Sequence, residues 1–285
     1  MTIPRALVLH GDGINCEAET VRALSEAGAI VKKVMIEDVI QGGVKLDDYQ
    51  MLMLPGGFSF ADNIRAGVIY AVKVRYKRNE AGYRMGDSLR KFVDDGKLIG
   101  GICNGFQSLV ELGMLPGTED GSFEKRATLA RNDSGQFRDA WVYMRGQADE
   151  TADWHSDTCI WTRGIKNIEM PIRHGEGKFI PNDEGVMGEM YRNGQVVFKY
   201  TDAEGREDAG YPFNPNGSRD NIAGICDRTG RVFGLMPHPE AWLDFTQHPR
   251  WTRMRAVYER NGEKMPDRGE GRLIFENAVE YAGNI

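Results

Sequence analysis

The sequence predicts an α/β fold: a parallel sheet with helices on both faces. Three observations lead to this prediction. Short apolar runs alternate with segments of helical spacing over about the first 115 residues. Glycine-rich turns follow two of these runs, at 55–58 and 101–105. The second half adds further short apolar runs joined by polar turns.

The predicted elements follow in chain order. RALVL (5–9) is a buried strand, and CEAETVRALSEAG (16–28) is a helix that ends at a glycine. Next come the strands IVKKVMI and YQMLML, the helix SLRKFVDDG, the strand KLIGGIC and the helix NGFQSLVELGML. In the second half we expect the strands WVYMRGQ, CIWTRGI, QVVFKYT, IAGICD and RVFGLM, and a last helix at GRLIFENAVEYAG.

Composition and charge exclude several classes of function and location. The 285 residues carry a formal charge of -6 and contain no basic block, so nucleic acid is not an expected partner. We find no apolar run long enough for a membrane span and no signal-peptide pattern, which predicts a cytoplasmic protein away from membranes. Four scattered cysteines without a CxxC pair indicate free thiols rather than disulfides or a zinc site.

Cys103 is the strongest candidate for a reactive side chain. It ends an apolar run, precedes a predicted helix and has Gly101 and Gly105 two positions away on either side, which is the pattern of a nucleophile elbow. The helix start at Asn104 would place unpaired N–H groups and a positive dipole end near the sulfur, which favours the thiolate. A buried structural cysteine in a strand–helix turn explains the residue types equally well.

A thiol nucleophile needs a base, and His238 in GLMPHPE is the best candidate. In an extended segment, Glu240 would point to the same side as His238 and could orient the imidazole, as the third member of a triad does. Pro237 and Pro239 favour such a segment. Taken alone, a solvated His-Pro turn is the better explanation of these residues.

An oxyanion hole would complete the site. Gly57, which follows the strand YQMLML, could aim a backbone N–H at a developing negative oxygen. The second donor would be the N–H of Asn104, the residue after the candidate nucleophile. A plain turn explains the glycines equally well.

Together these segments resemble the class I, triad-type glutamine amidotransferases, and within them the glutaminase subunits of phosphoribosylformylglycinamidine synthase. The resemblance covers residues 5 to about 240 and rests on HGDGINCE, LPGGFSFADNIRAG, GICNGFQSLVELGMLPG, PIRHGEGKF and NPNGSRDNIAGICDRTGRVFGLMPHPE. It implies the flavodoxin-like, triad glutaminase fold, a mostly parallel sheet with helices on both faces. It also implies that Cys103 is the nucleophile and that His238 and Glu240 complete the triad.

The resemblance also implies roles for five further residues. Gly57 and Asn104 would donate to the oxyanion. Gln107 would help hold the glutamine substrate. Arg173 and His174 would lie on the strand whose backbone meets the α-amino and α-carboxylate groups of the substrate, although a structural hydrogen bond explains His174 as well. Separately, His10 and Asp12 could be metal ligands, but no third ligand is evident, so no metal site is expected.

The function implied is hydrolysis of glutamine to glutamate and ammonia. The ammonia would go to a partner synthase that converts formylglycinamide ribonucleotide to its amidine with ATP, in de novo purine biosynthesis. No G-x-x-x-x-G-K-[ST] motif occurs, so no cofactor is expected in this chain. ATP and magnesium are expected in the large synthase subunit, and a small accessory subunit is a further expected partner.

The chain departs from the family pattern at a few places. Ala241 stands where arginine is usual, and Arg173 where a small residue is common. The chain is also longer than compact members. No linker or repeat divides it, so 1–285 is predicted to be a single domain with surface insertions near 73–90 and 241–270.

Two other functions stay open at this point. One is a cysteine peptidase or deglycase of a related flavodoxin-like superfamily, against which the distant His-Pro-Glu segment argues. The other is a non-catalytic scaffold subunit, against which the intact set of Cys103, His238 and Glu240 argues. For Cys16, which matches a family cysteine, packing is a better explanation than catalysis.

Overall fold

The computed structural model describes residues 2–62, 64–208 and 210–285. The strands in these ranges are β1 (Arg5–His10), β2 (Ile30–Met35), β3 (Met51–Leu54), β4 (Leu98–Ile102), β5 (Ala127–Ala130), β6 (Arg138–Gly146), β7 (Asn167–His174), β8 (Lys178–Pro181), β9 (Val196–Thr201), β10 (Ile222–Cys226) and β11 (Val232–Leu235). The α-helices are α1 (Glu17–Glu26), α2 (Ile36–Ile40), α3 (Val68–Tyr76), α4 (Met85–Asp94), α5 (Asn104–Leu112), α6 (Glu184–Arg192), α7 (Trp251–Asn261) and α8 (Arg272–Ala282). None of these helices is both long and apolar enough to cross a membrane.

Nine of these strands form one sheet, in the order β2-β1-β3-β4-β11-β10-β9-β6-β7. The strands from β2 to β11 run parallel, in the order of a flavodoxin-like sheet. Strands β10, β9, β6 and β7 extend the sheet in antiparallel pairings, and β5 pairs with β8 separately. The predicted α/β fold class is confirmed.

The parallel strands were recognisable in the sequence because they are buried on both faces. Strands β3, β4 and β11 are buried at every residue. A strand covered by helices on both sides needs apolar or small residues at consecutive positions, so it reads as a continuous apolar run. The predicted helix starting at Asn104 is observed as α5, and the predicted C-terminal helix as α8.

The predicted strand CIWTRGI is wrong. Ile160–Thr162 instead form a 3₁₀ turn. The indole of Trp161 is fully buried, stacks on Phe233 with ring centroids 5.6 Å apart, and donates from Nε1 to the carbonyl oxygen of Arg231 at 3.1 Å. Its apolar side chain therefore fills the core from a turn, where no strand ladder is required. Sequence patterns also did not indicate β5, β8, α2, α3, α6 or α7. The resemblance alone implied a strand around Arg173 and His174, and it is observed as β7.

The segment 73–90 is only partly at the surface. It spans the end of α3 and the start of α4, where Val74 and Leu89 are buried. The segment 241–270 is anchored by His248, which is fully buried, packs edge-on against Trp141 and lies 3.1 Å from Glu169 through Nε2. Helix α7, in contrast, has no buried residue. That the two segments are insertions stays a prediction.

Close packing of α5 against the sheet depends on small residues. A Cβ on Gly105 would lie 1.8 Å from the carbonyl oxygen of Leu54, at the end of β3. A Cβ on Gly101 would lie 2.7 Å from the backbone carbonyl of Gly105. Because both positions are glycine, α5 begins directly against the ends of β3 and β4, and the connection between β4 and α5 is a single residue, Cys103.

We expect Gly105→Ala to lower the free energy of unfolding by about 1 to 3 kcal/mol, because α5 must move away from the Leu54 carbonyl. Urea denaturation measures the change. The control is Gly188→Ala in α6, whose Cβ would meet the flexible end of Arg192 at 3.1 Å. That variant should be neutral or more stable by up to about 1 kcal/mol. Equal stability of the two variants would contradict the packing argument.

Candidate active site

A pocket lies at the carboxyl edge of the parallel strands. Strands β1, β3, β4 and β11 are successive neighbours in the sheet. Cys16, Gly57, Cys103 and His238 follow these four strands in that order, and all four residues line a pocket of about 310 Å³. The sheet thus gathers residues up to 222 positions apart. Such an edge is where ligands bind in open α/β sheets.

Cys103 has the backbone conformation of a nucleophile elbow. Its φ is 51° and its ψ is -105°, a strained conformation for a residue with a side chain. Its N–H donates to the carbonyl oxygen of Leu235 at 2.7 Å, and its thiol donates to the carbonyl oxygen of Arg173 at 3.6 Å. The strained turn and the pocket favour the reactive interpretation of this cysteine over the structural one.

His238 and Glu240 form a buried pair. Nδ1 of His238 lies 2.6 Å from Oε1 of Glu240, and both side chains are almost fully buried. The N–H of His238 donates to the carbonyl oxygen of Pro171 in β7 at 2.8 Å, which holds the segment against the sheet. The predicted extended segment is wrong after His238, because Pro239–Ala241 form a 3₁₀ turn. Proline is compatible with the first position of such a turn.

The two predicted oxyanion donors have free N–H groups. The backbone N–H groups of Gly57 and Asn104 donate to no other described residue. Gly57 has a φ of 143°, and a Cβ there would lie 2.6 Å from the carbonyl oxygen of Gly13. The N–H of Cys16 donates to the carbonyl oxygen of Gly56 at 3.2 Å and helps hold this turn. Both donors are therefore available to a bound group.

The three residues predicted to bind substrate lie at different depths. Arg173 lines the pocket, and its exposed side chain makes no ion pair or hydrogen bond with a described residue. Gln107 is buried, and its Oε1 accepts from Nδ2 of Asn104 at 3.0 Å. His174 is also buried, with Nδ1 3.1 Å from Oδ1 of Asn132. Arg173 is therefore the member of the trio that can touch a ligand directly.

Comparisons with known proteins agree with this geometry. A family model for the CobB/CobQ-like glutamine amidotransferase domain matches residues 3–282. The phosphoribosylformylglycinamidine synthase subunit PurQ of Methanococcus maripaludis is 43% identical over 283 residues, covering 98% of this chain and 97% of that protein. The chain belongs to the PurQ family of glutamine amidotransferases. The PurQ subunit of Dehalococcoides mccartyi is 37% identical over 286 residues and covers both chains completely.

A solved structure shares the architecture of this PurQ-family chain. PurLQS from Thermotoga maritima contains a chain that is 29% identical, with a TM-score of 0.65 over 98% of this chain and 99% of that one. The family membership and the glutamine amidotransferase architecture that the sequence predicts are both confirmed.

Asn104 has a structural task that the sequence did not indicate. Its Nδ2 donates to Oδ1 of Asp62 at 2.8 Å, and its Oδ1 accepts from the N–H of Ser59 at 3.1 Å. Burial raises the pKa of Asp62 to about 6, although the hydrogen bond from Asn104 opposes this rise. The Asn104 side chain therefore ties the loop after Gly57 to the start of α5, so the two oxyanion donors are held by one network.

Two aromatic residues at the pocket were also missed. Phe58 and Phe137 line it, with ring centroids 6.2 Å apart, and are 45% and 51% exposed. The sequence does not predict that these two rings meet at the pocket, because they belong to loops that are far apart in the chain. The sequence favours a packing role for Cys16, yet this residue lines the pocket, and its sulfur lies 3.9 Å from Nδ1 of His238.

The two buried histidines differ in charge. Burial opposes a proton on His238, but the Glu240 carboxylate and the Cys103 thiol outweigh it and raise the pKa of His238 well above its ordinary value. Burial lowers the pKa of His174 to about 3, and repulsion from His238 acts in the same direction. His238 is therefore the ring that can carry a proton, and its Nε2 is buried without a hydrogen-bond partner among the described residues.

We expect Glu240→Gln to lower the pKa of His238, because the substitution removes the negative charge that favours the imidazolium. Since the folded pKa is raised, protonated His238 stabilises the fold below pH about 6.5, and this stability is lost as the pH rises through the folded pKa. NMR titration of the ring measures the shift. Glu19→Gln, at the pocket but outside the pair, should change it little. An unchanged pKa in Glu240→Gln would contradict the electrostatic argument.

Proposed function

We propose that this chain is the glutaminase subunit of a phosphoribosylformylglycinamidine synthase. It hydrolyses glutamine to glutamate and ammonia, and it supplies the ammonia to a synthase that makes formylglycinamidine ribonucleotide in purine biosynthesis. The observation that carries the proposal is one pocket, in a chain of the PurQ family, that joins the strained Cys103 to the buried pair of His238 and Glu240. We assign the reaction to the cytoplasm.

In the first half of the proposed reaction, the Cys103 thiolate attacks the side-chain amide carbon of glutamine. The N–H groups of Gly57 and Asn104 stabilise the tetrahedral oxyanion, a contribution of about 3 to 4 kcal/mol per donor. His238 donates its proton to the leaving nitrogen, the C–N bond breaks, and ammonia departs. The product is a γ-glutamyl thioester on Cys103.

The second half releases glutamate. His238, now neutral, takes a proton from water, and the hydroxide attacks the thioester carbon. The same backbone donors hold the second oxyanion. The C–S bond then breaks and regenerates the thiolate. Glu240 keeps its hydrogen bond to Nδ1 throughout, so that Nε2 is the nitrogen that exchanges protons with the reacting atoms.

In this proposal one residue contacts the substrate directly and two others support the site. We assign the guanidinium of Arg173 to the α-carboxylate of glutamine, because it lines the pocket and has no partner among the described residues. Gln107 acts as a positioning residue through its hydrogen bond with the Asn104 side chain. His174, which is neutral and buried, supports the strand end that carries Arg173.

Ammonia has to reach a partner that uses it. The solved relative is a PurLQS assembly, so we infer a large and a small partner subunit that correspond to PurL and PurS. ATP and magnesium belong to the large subunit in this proposal, because this chain carries no P-loop motif.

We also propose that 1–285 is a single domain, with surface insertions near 73–90 and 241–270.

We expect Cys103→Ala to lower glutamine-dependent synthesis by the assembled complex by about 10³-fold or more, because the covalent step is lost. Synthesis with added ammonium should stay within about twofold of wild type. Steady-state assays with the two nitrogen sources measure both rates. Cys226→Ala, which removes a buried thiol outside the pocket, is the control and should keep both activities.

Equal loss with glutamine and ammonium in Cys103→Ala would refute the proposed division of labour. Selective labelling of Cys103 by a glutamine-like electrophile separates this function from a scaffold role, since a scaffold has no reason to react at one thiol. Release of glutamate from glutamine separates it from the peptidase and deglycase alternatives.

We expect Arg173→Ala to raise the KM for glutamine by about 10-fold with little change in kcat, since a charged contact to the α-carboxylate is present before and during reaction. Arg138→Ala is the matched control, because Arg138 lies opposite His174 on the neighbouring strand but outside the pocket. A KM for Arg173→Ala equal to that of the control would show that the backbone of this strand, rather than the guanidinium, binds the substrate.

A further inference from the structure

The pocket contains a second thiol that the proposed reaction does not use. Sγ of Cys16 lies 3.9 Å from Nδ1 of His238, which lies 2.6 Å from Oε1 of Glu240. One ligand atom from each of these three residues lies within 4.8 Å of the others. Thiolate sulfur, imidazole nitrogen and carboxylate oxygen are the donors that Zn²⁺ prefers.

One buried ligand atom in this cluster has no partner. Oε2 of Glu240 is buried and makes no hydrogen bond with a described residue, and the side chain is 1% exposed. An unpaired buried carboxylate oxygen is costly, and a cation can satisfy it. Cys16 is partly exposed and lines the pocket, which provides a route from solvent to the cluster.

We propose that Zn²⁺ binds to Cys16, His238 and Glu240 and thereby inhibits the enzyme. Tetrahedral coordination needs neighbouring ligand atoms about 3.5 Å apart. The observed 3.9 Å between Cys16 Sγ and His238 Nδ1 is close to this spacing, and the 2.6 Å between Nδ1 and Glu240 Oε1 has to widen by about 1 Å. Cys16 and His238 line the same pocket as Cys103, so a fourth ligand can reach the ion from that pocket.

Metal binding displaces two protons to solvent, one from the Cys16 thiol and one from Nδ1 of His238. The hydrogen bond between His238 and Glu240 is replaced by two metal–ligand bonds. The imidazole is then held by the cation and no longer serves Cys103. Because both protons return to the ligands when the ion leaves, binding is reversible by chelators.

The first test uses Co²⁺ as a spectroscopic probe and needs no glutamine, so its failure is distinct from failure of the proposed function. We expect wild type and Cys103→Ser to show the thiolate-to-cobalt charge-transfer band and tetrahedral ligand-field bands. Cys16→Ser should lose the charge-transfer band, with circular dichroism confirming that it is folded. A band that persists in Cys16→Ser and vanishes in Cys103→Ser would overturn the proposal.

The second test measures Zn²⁺ inhibition of glutamine-dependent synthesis by the complex, each variant relative to its own metal-free rate. We expect Cys16→Ser to raise the half-inhibiting Zn²⁺ concentration by about 10-fold or more. Cys226→Ser should leave it unchanged, and a chelator should restore the wild-type rate. Ammonium-dependent synthesis at the same Zn²⁺ concentration should persist, which locates the effect in this chain. Inhibition of wild type and Cys16→Ser at the same concentration would overturn the proposal.

Discussion

The contact between Gly105 and the carbonyl oxygen of Leu54 is the constraint on which the site depends. It lets α5 begin against the ends of β3 and β4, and it leaves a single residue, Cys103, to turn the chain from strand to helix. That turn requires a positive φ at Cys103. The same turn leaves the N–H of Asn104 without an acceptor among the described residues and aims the thiol at the pocket. Backbone packing therefore sets the geometry of the proposed nucleophile.

The antiparallel half of the sheet is part of the site. Strand β7 provides the carbonyl oxygen of Pro171 that holds the backbone of His238, and the carbonyl oxygen of Arg173 that accepts from the Cys103 thiol. Without β7, Cys103 and His238 would lie at the carboxyl edge of the parallel strands without these two backbone contacts. The extension through β10, β9 and β6 brings β7 back across the pocket, so that the base and the nucleophile are fixed against the same strand.

Burial and charge oppose one another at the proposed base. Removing His238 from water disfavours its charged form, and Glu240 together with the Cys103 thiol reverses that preference. His174 is equally buried, but its Nδ1 lies against Oδ1 of Asn132, and burial lowers its pKa to about 3. Glu176 also stands two residues after its histidine, yet it pairs with Arg131 and the Ala66 N–H instead. Direct contact between carboxylate and ring, rather than spacing in the chain, therefore distinguishes the two histidines. The imidazole and carboxylate of this pair, together with the Cys16 thiol, also form the donor set of the proposed site for a thiophilic cation.

The sequence by itself determined the fold class, because buried strands and helices are encoded by apolar patterns along the chain. It marked Cys103, His238 and Glu240 as candidates through the glycines near Cys103 and the family resemblance. Only the tertiary structure decided the rest. That Cys16 meets His238 and that Asn104 binds Asp62 follows from strand order and loop packing. Residue types constrain local conformation, whereas contacts between distant segments depend on how the whole sheet is assembled.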